Sequence, residues 1–426
     1  MVIGVSRSEI LKTAAATLVA VTVSSAALAQ TEGDRIKALE QMIQTQQTQI
    51  ETQQKVLDEM RGALKAVQES GVETSARQNR VVLSRDDKVK LSITGQVNRA
   101  LLYYNDGNKD AVRHVDNDAS STRLTFKGST QATDDLKLGA KIEVQFESNS
   151  TGDVNQADNT AGGTNTFTQR KLEIFATSKR LGKVSMGQGS TGSDGMTESD
   201  LSGTSLVGSS AVSASAGALS FATATTGTTA GNPTVSGAFK NLDGLSRDDR
   251  LRYDTPNFNG IVLSTSAVDG GEWDIAASYD AAYDSFKVSS KIGFANQSGT
   301  RVFPETILGG SVSILTKSGF NVTAAGAKAD DGDSTRDAQE FWYGKLGYIA
   351  QDLFSFGSSR VSVDYGQYDN FAANNDEAAT YGLQFVQKVG DWGTEFYAGY
   401  RHYDLERTGA TFDEIDVLLA GARVKF

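Results

Sequence analysis

The sequence predicts an all-β fold: a 16-stranded antiparallel transmembrane β-barrel, preceded by an N-terminal α-helical coiled coil. Three observations predict it. Apolar residues recur every seven positions between Gly33 and Glu69, and from Lys88 onward they alternate with polar ones. Along that second region short turns alternate with generally longer polar loops, as they do in a barrel whose two ends face different compartments.

Residues 1–29 read as a signal peptide. Arg7 and Lys12 precede the apolar run Thr13 to Ala29, which closes on Ala27-Leu28-Ala29, small residues that suit signal peptidase, so the mature chain is expected to start at Gln30. Residues 30–70 carry the coil. Ile36, Ile43, Ile50, Leu57 and Leu64 make one row and Leu39, Gln46, Gln53, Met60 and Val67 the other. Such a helix spans about 55 Å, and its apolar stripe requires a partner, either further copies of the coil or the following domain. The two Gln layers cost stability and favour a fixed register while leaving dimer and trimer open. Ser70-Gly71 ends the helix, and residues 71–87 are expected to be a polar linker.

From residue 88 to 426 the period is two. In LKLGAKIEVQFE, Leu136, Leu138, Ala140, Ile142, Val144 and Phe146 alternate with Lys137, Gly139, Lys141, Glu143, Gln145 and Glu147. Strands are expected near 89–104, 120–130, 136–147, 168–178, 183–188, 249–255, 261–268, 272–280, 285–295, 304–316, 320–328, 338–349, 359–368, 377–388, 394–404 and 413–426. That even count, with lengths near ten residues, is the pattern of a barrel that closes its own edges in lipid. Tyr103, Tyr104, Tyr253, Trp273, Tyr279, Tyr365 and Tyr400 are expected in aromatic girdles at the lipid interfaces.

Composition removes other classes. Outside the signal, no run approaches the roughly 18 apolar residues of a spanning helix. The chain has a net charge of −11 and no Cys, which argues against a nucleic-acid partner and excludes disulfides and thiolate chemistry. Two histidines, His114 and His402, are too few for a histidine metal cage, and neither G-x-S-x-G nor H-E-x-x-H occurs. No cofactor, metal or catalytic residue is expected. One motif invites a nucleotide reading: Gly187, Gly189 and Gly192 form a G-x-G-x-x-G. No amphipathic helix follows them, and nothing charged lies between Asp200 and Lys240 to hold a ribose, so they read as a glycine-rich turn entering a loop.

Over residues 88–426 the chain resembles the Gram-negative trimeric general-diffusion porins. KLSITGQVNRALLYYND resembles the first barrel strand of that family, and SSTRLTFKGSTQATDDLKLGAKIEVQFES the second and third. RKLEIFATSKRLGKVSMGQG resembles the fourth and fifth, and DDRLRYDTPNFNGIVLSTSA the sixth, its turn and the seventh. The terminal LLAGARVKF, with Val424 and Phe426 in its alternation, is similar to the signal read by the barrel-assembly machinery. The resemblance implies a homotrimer embedded in outer-membrane lipids and a constriction loop over residues 189–248, entered after Gln188, where the family often carries Arg.

It further implies a basic pore wall facing an acidic loop. Asp194, Glu198 and Asp200 are the loop acids, and Lys90, Arg123, Lys127, Lys141, Lys171, Arg250 and Arg252 the inward-facing cations. Asp330, Asp331 and Asp333 read as loop-tip surface charges. The expected function is a water-filled channel for passive diffusion of ions and small hydrophilic solutes. The alternatives are a substrate-selective porin for small carboxylates, or a barrel acting as tether or adhesin through a periplasmic coil that reaches peptidoglycan. A shared adhesin barrel, built from a few strands per chain, fits poorly with a chain that supplies sixteen itself. The net charge of −11 implies mild cation preference, which charges focused on the wall can override.

Overall fold

The computed structural model describes residues 81–84, 89–158, 167–297, 304–330, 332 and 335–426. The signal peptide and the coiled coil lie outside these residues. Sixteen strands form the barrel: β1 Val89–Asn105, β2 Arg123–Gln131, β3 Leu136–Phe146, β4 Phe167–Ser178, β5 Gly182–Ser190, β6 Arg247–Asp254, β7 Ile261–Val268 and β8 Trp273–Ala282. The second half comprises β9 Phe286–Asn296, β10 Thr306–Thr316, β11 Phe320–Asp330, β12 Gln339–Phe354, β13 Gly357–Asp369, β14 Glu377–Val389, β15 Thr394–Arg407 and β16 Ile415–Lys425.

Each strand pairs antiparallel with its sequence neighbours, and β16 returns to β1 in register from Asp416↔Asn105 to Lys425↔Gln96. The sheet is therefore closed, which satisfies every strand edge in a solvent without hydrogen-bonding partners. The chain end completes the seam. Gly95 N–H donates to the Phe426 carbonyl at 2.8 Å and Phe426 N–H to that of Gly95 at 3.0 Å.

Alternation has the sense expected of a membrane barrel. Leu101, Ile142, Ile174, Leu263, Leu346 and Leu383 face outward and are exposed, while their sequence neighbours point inward. Outward aromatics include Trp273, Trp342, Tyr365 and Tyr103 on the loop side and Tyr253, Phe320, Tyr348 and Trp392 on the turn side. Tyr104 departs from the girdle expected of it. It is buried inside the barrel beneath the Arg113 guanidinium, 5.6 Å from the ring centre, because its position on β1 has inward parity.

Several boundaries differ from the sequence reading. β2 begins at Arg123 because Asp118–Ser120 form a 3-10 turn capped by Asn117. β12 runs on to Phe354 through an irregularity after Ala350. Two short strands were not expected: Asp110–Asp116 pairs with the upper half of β1, and Ala410–Thr411 with the end of β15. Residues 81–84, within the stretch expected to be a linker, pair with β1 from Val81↔Ile93 to Ser84↔Lys90. They cover the part of the β1 edge that lies beyond the last β16 pair.

Candidate functional site

The connection between β5 and β6, residues 191–246, does not lie over the rim. It enters the barrel and crosses the inner wall strand by strand. Ser193 donates through N–H and Oγ to Asp274 on β8, at 2.8 and 2.6 Å. Lys291 Nζ on β9 donates to the Asp194 carbonyl at 2.5 Å. On β10, Ser311 Oγ donates to the Met196 carbonyl at 2.8 Å and accepts from Ser199 N, and Ser313 Oγ accepts from Leu201 N. Thr204 Oγ1 meets Ser362 Oγ on β13 at 2.7 Å, and Tyr368 and Tyr403 hydroxyls donate to the carbonyls of Ser210 and Val212.

Glycine makes room for this path. A Cβ at Gly399 would stand 2.5 Å from Val207 Cγ2, and one at Gly309 3.1 Å from Met196 Cε. The three glycines of the G-x-G-x-x-G serve the loop's entrance. Gly187 has φ +108, a Cβ at Gly189 would stand 2.7 Å from an Arg250 guanidinium nitrogen, and one at Gly192 2.8 Å from Asp274 Oδ1. Their function is close backbone approach at the end of β5, without the following helix that phosphate binding requires.

The uncharged middle of the loop, rich in Ser, Thr, Gly and Ala, packs as a second core. Leu219, Phe221, Val235 and Phe239 bury themselves against Leu102, Tyr104, Tyr368, Tyr403 and Ile415 of the wall. Phe239 meets Tyr368 and Tyr403 edge-on, with ring centres 5.1 Å apart in both cases. Each such aromatic pair adds about 1 kcal/mol beyond the area it buries. The loop also touches its neighbours at the rim: Gln156 donates to the Ser220 carbonyl and Asp413 N–H to that of Ala222.

The three loop acids expected to face the pore separate into two roles. Asp200 is committed to the wall: its carboxylate pairs with buried Lys345 on β12 at 2.8 Å, and the same ammonium donates to the Gly208 carbonyl at 2.6 Å. Removing one partner from a buried pair of this kind costs roughly 3–5 kcal/mol, since the other is left charged and unpartnered. Asp194 and Glu198 stay on the lumen side, and the structure adds a third acid to them. Asp243, on the returning leg, accepts from Gly195 N at 2.8 Å and from Thr197 N and Oγ1 at 3.1 Å, tying the two legs together.

Enclosure within the barrel, reinforced by Glu198 and Asp194, pushes the Asp243 carboxyl up to about 8. Glu198 has surface open to the lumen, yet it lies enclosed by the barrel and beside Asp194. Its carboxyl is raised for these reasons, while Asn241, donating at 2.9 Å, and the nearby Arg247 and Lys291 oppose the shift. No local pattern marks Asp243, which lies 49 residues after Asp194 in sequence and beside its neighbours only through the fold.

The expected cations lie on the inner face of β1 to β6. Lys90 shares the inward parity of β1, opposite Ser129. Lys127 stands over the Phe175 ring at 5.4 Å, with Lys183 on the same ring at 5.5 Å. Lys171 donates to Ser190 Oγ at 3.1 Å. Arg123 and Lys141 flank Glu143, at 3.8 and 3.0 Å, and Arg170 joins them at 3.1 Å. Arg250 and Arg252 are less available to solutes. Arg250 is buried in a pair with Glu173 and donates to the Gly187 and Ser190 carbonyls; Arg252 binds Asp254 and the Ser190 and Thr191 carbonyls. Both fasten the loop's entrance.

Arg423 and Lys425 on β16 and Arg360 on β13 complete the charged wall around Glu395. Glu395 and Arg423 face each other on the consecutive strands β15 and β16, and barrel closure sets β16 beside β1. His114 lies on the Asp110–Asp116 strand, and His402 sits outward on β15 between Asp416, 2.9 Å away, and the Tyr381 ring. Asp330 caps a turn through Gly332 N, while Asp331 and Asp333 lie outside the described residues.

The sequence profile of the Gram-negative porins matches residues 14–408. The chain belongs to the Gram-negative porin family. Among solved structures, this porin is similar to the anion-selective porin from Comamonas acidovorans, with 14% identity and a TM-score of 0.56 over 80% of this chain and 100% of that one. It is also similar to OmpT of Vibrio cholerae, with 14% identity and a TM-score of 0.53 over 81% and 100%. Against OmpF of Salmonella typhi, in complex with daunomycin, identity is 13% and the TM-score 0.52, over 81% and 100%. At these identities the likeness is one of fold. No curated protein matches the sequence.

Proposed function

We propose that this porin is an outer-membrane channel for passive diffusion of ions and small hydrophilic solutes, and that its narrowest section lies between the folded-in loop and the inner wall of β16 and β2 to β6. One observation carries this reading. The loop is fastened to β8, β9, β10, β12, β13 and β15, which leaves the charged faces of the early strands opposite Asp194, Glu198 and Asp243. Charges of opposite sign on the two sides of a narrow, water-filled passage set a field across it, and low-dielectric walls concentrate that field. The pore wall comprises Arg123, Lys127, Lys141 and Lys171, with Arg250 and Arg252 holding the loop entrance.

A homotrimer in outer-membrane lipids, assembled by machinery that reads Val424 and Phe426, is the matching assembly. Residues 189–248 are its constriction segment, residues 1–29 its export signal, and residues 30–70 a periplasmic coil able to brace the trimer or reach peptidoglycan. Liposome swelling tests the channel. Vesicles containing the protein should swell in sugars at rates that fall steeply with solute size, because the loop narrows the usable cross-section. Swelling absent for every solute, with the protein folded, would favour a tether or plugged barrel instead.

A further inference from the structure

Two carboxyls from different connections meet on the inner face of the barrel. Glu147 directly follows β3 and keeps the inward parity of Glu143 and Gln145. Asp118 opens the 3-10 turn between β1 and β2, and its carboxyl lies within hydrogen-bond reach of that of Glu147. An ionised carboxylate only accepts, so the two groups form a hydrogen bond only when one of them carries a proton.

The other partners agree with that state. Glu147 Oε2 accepts from Gln145 Nε2 at 2.7 Å, whereas Oε1 is buried and no donor among the described residues reaches it. A buried carboxylate oxygen without a donor is unfavourable, and a proton shared with a neighbouring carboxyl removes the deficit. Asp116, on the Asp110–Asp116 strand, and Asp153, further along the β3–β4 connection, add negative charge around the pair. Arg170 on β4 and Arg247 at the start of β6 oppose it, but Arg170 donates to Glu143 and Gln145. Arg99 on β1 turns to Asp116 and Ser148, while Arg123 and Arg423 turn to Ser120, Glu143 and Glu395. Enclosure within the barrel, then Asp118 and Asp116, push the Glu147 carboxyl up to about 7. Asp118 has surface open to the lumen, yet enclosure and Asp153 raise its carboxyl too.

The same two connections hold the folded-in loop. Thr151 Oγ1 accepts from Asp118 N at 3.0 Å and donates to the Ala214 carbonyl at 2.6 Å, and Asn117 Nδ2 donates to the Leu206 carbonyl at 2.7 Å. We propose that Asp118 and Glu147 share one proton and act as a pH-sensitive clasp between the β1–β2 and β3–β4 connections, beside the anchorage of the folded-in loop. With the proton in place the clasp is one O–H···O bond carrying a single negative charge. Its loss to lumen water leaves two carboxylates that repel each other. The Glu147 carboxyl is raised above its ordinary value of 4.5, so its contribution to stability is complete below that value and is lost as pH rises through about 7.

The test is a pH titration of the purified protein by infrared difference spectroscopy, which reads the C=O stretch of a protonated carboxyl. Between pH 5 and 9 the wild-type protein should lose such a band with a midpoint near 7. Glu147→Gln should remove that component. Asp118→Asn, which replaces the charged neighbour of Glu147 by an amide able to donate to it, should lower the midpoint by at least about one unit. Asp243→Asn should leave the component in place. The clasp is read from the melting temperature: the wild-type protein should melt lower at pH 8 than at pH 6, and Glu147→Gln, uncharged at both, should narrow that difference. No band in the wild-type protein, a band that neither variant moves, or a melting difference as large in Glu147→Gln overturns the proposal. These readouts do not require conduction, so a protein that passes them and conducts nothing upholds the clasp and defeats only the channel reading.

Discussion

At the level of single residues, similar side chains have been given different work by their surroundings. Asp200 and Asp194 are six residues apart and both acidic, yet Asp200 anchors the loop through Lys345 while Asp194 stays by the lumen. Nothing local distinguishes them, because the deciding partner is 145 residues away in sequence. The same holds for Arg250, legible as an inward cation from the period of β6, and illegible as a clamp on the carbonyls of Gly187 and Ser190.

Asp243 gives a prediction at this scale. Its carboxyl is raised from 3.8 to about 8, by burial first and then by Glu198 and Asp194. Folding therefore takes up a proton between these values, so its ionisation is unfavourable in the folded state and stability is lost as pH rises through that window. For conduction, lowering the pH from about 9 to about 6 removes a negative charge from the constriction and should move the reversal potential toward anions. Asp243→Asn should abolish that part of the shift. An unchanged pH profile in the variant would assign the titration elsewhere.

Among elements, strands were legible and the loop's route was not. Period-two alternation fixes which side chains of β3 face outward, since a one-residue slip would put Lys137, Lys141 and Glu143 into lipid. The loop of residues 191–246 carries no period, and its Ser, Thr, Gly and Ala suit a surface excursion as well as a tightly packed one. Its course is set by partners on six strands and by glycines that let it approach them. Because it is fastened along its length, the account predicts a static constriction. The chain has no Cys, so a single designed pair is unambiguous. A Cβ at Gly347 would stand 3.2 Å from Ser202 Cβ, near disulfide geometry. Ser202→Cys/Gly347→Cys should oxidise readily and conduct equally with the bond closed or reduced; a large conductance rise on reduction would mean that the loop swings.

At the scale of the whole molecule, a chain of net charge −11 gathers a group of cations on the inner wall of its barrel. Net charge counts every group alike, but a solute in the lumen senses the charges that face it within a few ångströms, less screened than those on the outer loops. Closure of β16 onto β1 brings Arg423 and Lys425 beside the cations of β2 to β4, an arrangement that no segment of the sequence contains by itself. That is why the barrel could be read from alternation and turn spacing, and the joining of these cations on one wall could not.

The measurement that tests this most directly is the reversal potential of wild-type channels in planar bilayers under a potassium chloride gradient. The account predicts stable, stepwise conductance with the potential displaced toward that of chloride, despite the net charge of −11. A displacement toward potassium would show that the loop acids, rather than the wall cations, govern the passage, and an absence of conductance from folded protein would contradict the channel itself.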